Sequence, residues 1–198
     1  EASGGGAGHE ATQDWPIVLR GTGGGAIGHD RELTNSLTAP MSERADRNNQ
    51  NWYDLFHRAW SRALQRFGVN ARLCESTNAG QESTFLCFQR RTEGDLLLGN
   101  AKIGGSAQRR HHQAVLQHGS LLLNESPAAP ELPGIRQLAT EDTLTAGWLE
   151  EWTEQWVEEL SEEMGVVWQP GELSAKERET AVAVEKEKFD TKAWTLRR

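Results

Sequence analysis

Only two cysteines, Cys74 and Cys87, occur in the 198 residues. That is too few for a disulfide framework or for the ligand set of a four-ligand zinc site. Long apolar runs are missing as well. The longest, Leu96 to Leu98 and Leu121 to Leu123, fall far short of the roughly 18 residues of a membrane span. No secretory hydrophobic region follows the N-terminus, which is polar and rich in glycine and alanine. Nor is there an excess of positive charge: 21 Lys and Arg against 29 Asp and Glu leave a net charge of −8, which argues against non-specific nucleic-acid binding. These absences point to a reducing, cytoplasmic setting with neither nucleic acid nor membrane as partner. What is present fits a folded domain. Hydrophobic residues make up 36% and 20 glycines add to them, an apolar share that excludes a disordered tail or a collagen-like fibre. At this length one domain is expected, burying roughly 70% of its unfolded surface.

Residues 1–14 show no apolar periodicity and are expected to be a flexible lead-in. From Trp15 the pattern changes. Ile17 to Leu19 reads as a short strand stopped by the glycines from Gly21 to Gly25, and Leu33 to Thr38 alternates like a half-buried strand closed by Pro40. Trp52, Leu55, Phe56, Ala59, Trp60, Ala63, Leu64 and Phe67 recur at the helical period, which predicts a helix over about Gln50 to Phe67 with Gly68 as its C-terminal cap. Strands are then expected at Ala71 to Cys74, Thr84 to Phe88, Asp95 to Leu98, Ala101 to Arg109 and Ala114 to Leu123, with Gly99-Asn100 as a hairpin turn. Residues 124–139 hold three prolines and read as a crossover loop. The last third is helical. Trp148, Trp152, Trp156, Leu160 and Met164 recur every four residues opposite Glu150, Glu151, Glu154, Glu158, Glu159, Glu162 and Glu163, read as a solvated face. Ser174 and Glu177 have capping-box spacing at the start of a second helix running towards Phe189. This order predicts an α+β domain, a largely antiparallel mixed sheet covered by helices.

Several segments could carry chemistry, each beside a plainer reading. Glycine runs at Ser3 to Glu10 and Thr22 to Asp30 could bring bare backbone against a ligand. Only the second follows a predicted strand; the first reads as a linker. Neither fits a phosphate loop or a dinucleotide fingerprint. In Lys102 to Arg110, the run Gly104, Gly105, Ser106 and Ala107 weakens a strand that a solvated hairpin would keep strong. Lys102, at a strand start, is expected to be unpacked. His118 before Gly119 is either a general base or a hydrogen-bonded core histidine. Cys87 is either an inert buried thiol or a nucleophile favoured by Lys102, Arg90 and Arg91. Cys74, followed by Glu75, reads as structural. Residues 89–112 hold five Lys and Arg against Glu93 and Asp95. This basic patch suits an acidic partner, or is scattered solvated charge.

Taken in order, RGTGGGAIGHDRELTNSL (Arg20 to Leu37), CF (Cys87-Phe88), GNAKIGGSAQRR (Gly99 to Arg110) and VLQHGSLLL (Val115 to Leu123) resemble the biotin/lipoate protein ligase catalytic-domain superfamily, most closely its lipoate branch. The resemblance covers Trp15 to Leu123, and KFDTKAWTLRR at the end is similar to the close of that catalytic domain. It implies a catalytic domain over residues 15–198, incomplete at its N-terminus because the helix and strand that the family places before TGGGA are missing. Leu19 stands where the family tends to have an arginine, and Gly28 where it has a larger residue.

The resemblance implies transfer of an octanoyl or lipoyl chain to a lysine of a lipoyl domain or of the glycine cleavage H protein. In the cysteine-dependent octanoyltransferases of this branch, octanoyl-acyl carrier protein is the donor and a CF cysteine upstream of the lysine motif is the nucleophile. Cys87, fifteen residues before Lys102, fits that arrangement and needs neither cofactor nor metal. By the same resemblance Cys87 and Lys102 are catalytic, and the backbone at Gly104 and Gly105, with Ser106 and Ala107, orients the acyl carbonyl. Arg20, Gly23, Gly24, Gly25, His29, His118 and Gly119 line the acyl site. The alternatives are a lipoate–protein ligase, which uses ATP and Mg to make lipoyl-adenylate, and a non-catalytic remnant that only binds lipoyl domains.

Overall fold

The computed structural model describes residues 15–22, 25–40, 49–76, 86–111, 114–140 and 144–197. The expected lead-in at 1–14, Gly23, Gly24, and the first part of the strand expected from Thr84 lie outside the described residues.

Five strands are present: β1 (Glu32–Pro40), β2 (Arg72–Leu73), β3 (Leu96–Leu98), β4 (Ala101–His111) and β5 (Ala114–Leu122). They form one sheet in the order β1-β5-β4-β3-β2, and every neighbouring pair is antiparallel. The one parallel contact among the described residues is an isolated bridge between Ala26 and Leu86. Because side chains alternate along a strand, the pairing of Leu33 with Leu121 and of Ala39 with Val115 defines one apolar face. Ser36, His118 and Ala107, also paired, share the other.

The apolar face is covered by α1 (Asn49–Arg66) and α3 (Trp148–Met164). Phe56, Trp60 and Leu64 meet Leu96, Ile103 and Leu121 from the sheet and Trp148, Trp152, Trp156 and Leu160 from α3. Trp152 and Trp156 stack at 5.7 Å, and Phe56 meets Trp156 edge-on at 5.3 Å, geometries favoured by the ring quadrupoles. Gly68 ends α1 as predicted. Its φ of 72° lets Gly68 N–H and Val69 N–H bond back to the carbonyls of Gln65 and Leu64.

A short α2 (Ile135–Leu138) lies inside the proline-rich loop. Beyond α3 come α4 (Ala175–Val184), a wide turn at Glu185–Phe189 and α5 (Lys192–Thr195). The predicted capping box is formed: Glu177 N–H donates to Ser174 Oγ, and Ser174 N–H to Glu177 Oε2 at 2.7 Å.

Several expectations need correction. Ile17 to Leu19 is not a strand; Ile17 and Val18 are exposed, and the Leu19 carbonyl takes its hydrogen bond from the Trp194 indole rather than from a neighbouring strand. Strand character after Leu86 ends at once. Cys87 N–H donates to Ala26 O, and Gln89 and Arg90 N–H turn back to Leu86 and Cys87, so Cys87–Gln89 is a 3-10 turn. The glutamate face of α3 is not wholly solvated. Arg58, Arg62 and Arg66 repeat every four residues along the edge of α1 facing α3. They pair with Glu159 and Glu163, and Glu159 is buried. Lys102 is buried too, at 7% exposure, because a carboxylate takes up its ammonium.

Candidate active site

Lys102 is the second residue of β4, and a register shift between Leu96 and Leu97 lies opposite it in β3; such irregularities re-aim side chains. Its Nζ lies 2.8 Å from Asp95 Oδ2, donates to the Cys87 carbonyl at 3.4 Å, and sits 5.5 Å from the Phe88 ring centre. Asp95 is fully buried, and further donors surround it. Tyr53 OH donates to Oδ1 at 2.6 Å, while Thr92 N–H and Thr92 Oγ1 donate to Oδ2 at 2.7 and 3.1 Å. Burial, and then the negative charge of Asp95, raise the Tyr53 phenol above its ordinary value, so Tyr53 keeps its proton and donates it.

The glycines of KIGGSAQ have packing reasons. A Cβ on Gly105 would lie 2.8 Å from Lys102 Cε, and one on Gly119 would lie 2.5 Å from Ser106 Oγ. Gly105 leaves the lysine stem its path; Gly119 leaves room for the serine. Ser106 then faces α1. The His57 ring is completely buried, and Nδ1–H donates to Gly94 O at 2.6 Å, so Nε2 accepts the Ser106 hydroxyl at 2.7 Å. Burial, helped by the Lys102 charge, lowers the His57 pKa to about 4 against the pull of Gly94 and Asp95. The imidazole is neutral at neutral pH.

The glycine-rich loop is tied to this centre from the other side. Arg20 donates to Gly25 O at 3.0 Å, Arg109 to Gly21 O at 2.6 Å, and Cys87 N–H to Ala26 O at 2.9 Å. Thr22 Oγ1 and His118 Nε2 are 2.7 Å apart. Half-burial, followed by the charges of Arg20 and His29, lowers the His118 pKa. Among the described residues no group of three or more His, Cys, Asp or Glu is placed to hold a metal. No described helix is long and apolar enough to cross a membrane.

Residues 9–175 match the family model of the lipoyl protein ligase A/B catalytic domain. The chain belongs to this family. Among curated proteins it is similar to the octanoyltransferase LipM of Kyrpidia tusciae, 28% identical over 206 residues that cover 86% of this chain and 71% of that protein. The LipM of an Exiguobacterium species is 37% identical over 116 residues, 55% of this chain and 42% of that protein. The chain thus spans less than half of the second relative. Solved structures that share the fold include two lipoate ligases. A lipoate-protein ligase A bound with ATP superposes with a TM-score of 0.71 at 20% identity, over 90% of this chain and 71% of that one. The bi-partite lipoate protein ligase of Thermoplasma acidophilum, described with its E2 lipoyl domain, gives 0.67 at 19% identity, over 92% and 72%.

Within this domain most of the described residues predicted for the site fall into two groups. Lys102 and Gly105 lie against Asp95, and the Cys87 carbonyl accepts from the Lys102 ammonium; Arg20 and Gly25 are joined in the neighbouring loop, where Thr22 meets His118 and Ala26 meets Cys87. Gly104 packs tightly, a Cβ there lying 3.1 Å from both Leu96 and Trp60, and Ala107 pairs with His118 across the sheet. His29 stands apart, exposed and paired with Glu32. Sequence reasoning missed Asp95, Tyr53, Thr92 and His57. One signal was available: Tyr53, the only tyrosine, lies four residues before His57 on one edge of α1, an i, i+4 polar pair. Cys74 is buried, and its thiol donates to Ser76 O.

Proposed function

We propose that this chain is the catalytic part of a cysteine-dependent octanoyltransferase of protein lipoylation. The observation that carries the reading is the meeting of Cys87 and Lys102, fifteen residues apart in sequence, where the lysine ammonium reaches the Cys87 carbonyl at 3.4 Å. Similarity to the LipM octanoyltransferases points the same way. The Cys87 thiolate attacks the carbonyl carbon of octanoyl-acyl carrier protein, forming a new C–S bond. The donor C–S bond breaks, and the carrier leaves as a thiol after taking a proton. Lys102, held beside Cys87, stabilises the oxyanion of the tetrahedral intermediate. The ε-amine of a lysine on a lipoyl domain, or on the glycine cleavage H protein, then attacks the thioester. The C–N bond forms, the amine proton passes to the departing Cys87 sulfur, and the thiol is restored. The lipoyl domain described with the Thermoplasma ligase supports that class of acceptor. Arg90, Arg91, Arg109 and Arg110 suit acidic carriers, and the chemistry belongs in the cytoplasm, where acyl carrier and thiol are both kept reduced. The route uses no cofactor.

Incubation with octanoyl-acyl carrier protein, without ATP, is expected to add one octanoyl mass to the intact chain, removable by hydroxylamine. Cys87→Ser abolishes the stable thioester and Cys74→Ser does not. The second reading, an ATP-dependent lipoate ligase, is favoured by the fold shared with the ATP-bound ligase. In it Lys102 would hold the adenylate. Modification of a lipoyl domain by ATP plus lipoate, with no adduct on Cys87, would establish the ligase instead.

A further inference from the structure

We infer that Asp95 is a positioning residue of this site, acting through Lys102 and itself held by Tyr53. This rests on the transferase reading. A buried ion pair is weak evidence of stabilisation, because desolvating both ions costs about as much as their attraction returns. Asp95 and Lys102 are nonetheless almost sealed from solvent, so the pair needs another explanation.

Its surroundings supply one. Four hydrogen-bonding groups converge on the Asp95 carboxylate from three parts of the chain: Tyr53 on α1, the backbone and hydroxyl of Thr92, and Lys102 on β4. A carboxylate bound on both oxygens has little freedom to turn, and it fixes where the ammonium stands. The lysine stem reaches it along a path that the missing Cβ of Gly105 leaves open; an added one would lie 2.8 Å from Cε and 3.3 Å from Asp95 Oδ1. β4 therefore keeps a glycine, which weakens a strand, where the lysine passes. From that position the ammonium reaches the Cys87 carbonyl and the Phe88 ring. A flexible lysine would spend most of its time elsewhere, whereas an oxyanion donor is effective when placed before the reaction. Tyr53 N-terminal to His57 on α1 extends the same support, since its hydroxyl oxygen also accepts from Ser106 N–H at 3.5 Å.

The test is a double-mutant cycle on single-turnover acylation of Cys87 by octanoyl-acyl carrier protein, read by intact mass. Asp95→Asn is expected to lower the acylation rate at saturating donor on the order of 10²-fold, the scale of losing one oxyanion donor, and to leave KM near its wild-type value. In a Lys102→Met background the same substitution should cost nothing more, because Asp95 has no further route to the reaction. The double variant removes both buried charges together and is expected to fold. Should Asp95→Asn alone fail to fold, Tyr53→Phe serves. It should slow acylation about tenfold, the worth of one hydrogen bond to a charged group, again only while Lys102 is present. Equal losses with and without Lys102, or a wild-type rate in both single variants, overturn the positioning role. A wild-type chain that takes no octanoyl group at all overturns the transferase reading, and this role with it.

Discussion

Helices α3 and α4 both carry glutamate in the first turn, yet they relate to the rest of the molecule in opposite ways. In α3 the tryptophans return every four residues, so three indoles and Leu160 share one buried face. In α4, after Ala175, the apolar residues are consecutive, Ala181 to Val184. At about 100° per residue they spread around the axis and make no stripe. No residue of α4 is buried. Its start is set by the Ser174–Glu177 box alone, whereas α3 has no side-chain cap and is held by its tryptophans and by the arginines of α1. Capping decides where a helix begins; periodicity decides whether it has anywhere to go.

Three experiments test this difference. The largest effect is expected from Trp152→Ala, which empties the centre of the indole stack and should cost about 3–5 kcal/mol in denaturant unfolding. A loss below about 1 kcal/mol would mean that α3 is docked by its ion pairs with α1 rather than by its stripe.

Next comes acid, through His57 beneath the same layer. Its pKa falls from 6.5 to about 4 on folding, so the unfolded chain binds the extra proton between those values. Stability is then full above about pH 6.5 and declines as pH falls towards 4, by about 3 kcal/mol in all. His57→Gln should flatten that part of the stability profile; an unchanged slope would assign the acid loss to other groups.

The smallest effect belongs to α4. Ser174→Ala should speed amide hydrogen exchange within α4 severalfold, matching the loss of a cap worth about 1 kcal/mol. Global unfolding should stay unchanged, because the helix opens on its own. A measurable fall in global stability would show that α4 folds together with the sheet.

Much of the fold was legible in the residues, and unevenly so. The α1 stripe, the α3 stripe, the Gly68 cap, the Gly99-Asn100 turn and the Ser174 box all depend on spacing within a few residues, and all are present. The errors fall where a distant partner decides. Ile17 to Leu19 has strand composition but no strand beside it among the described residues. Cys87 has strand neighbours but meets Ala26 and turns. Glu159 looks solvated on a helical wheel until Arg62 and Arg66 face it.

At the site the division is similar. Cys87, Lys102 and the glycines of β4 and β5 could be singled out from the sequence, because a lysine beside small residues in a strand is unusual, and the ordered motifs carried the family resemblance. That Lys102 is buried, that Asp95 receives it and that Tyr53 holds Asp95 could not be read there. Those three residues lie 7 to 49 positions apart, and no local rule connects them. By itself the sequence determined the helical stripes, the turns, the caps and the order of the motifs, since periodicity and backbone preference act over a few residues. The tertiary structure alone decided which charges are buried together. An ion pair forms only after the sheet register and the docking of α1 have removed water from around both partners.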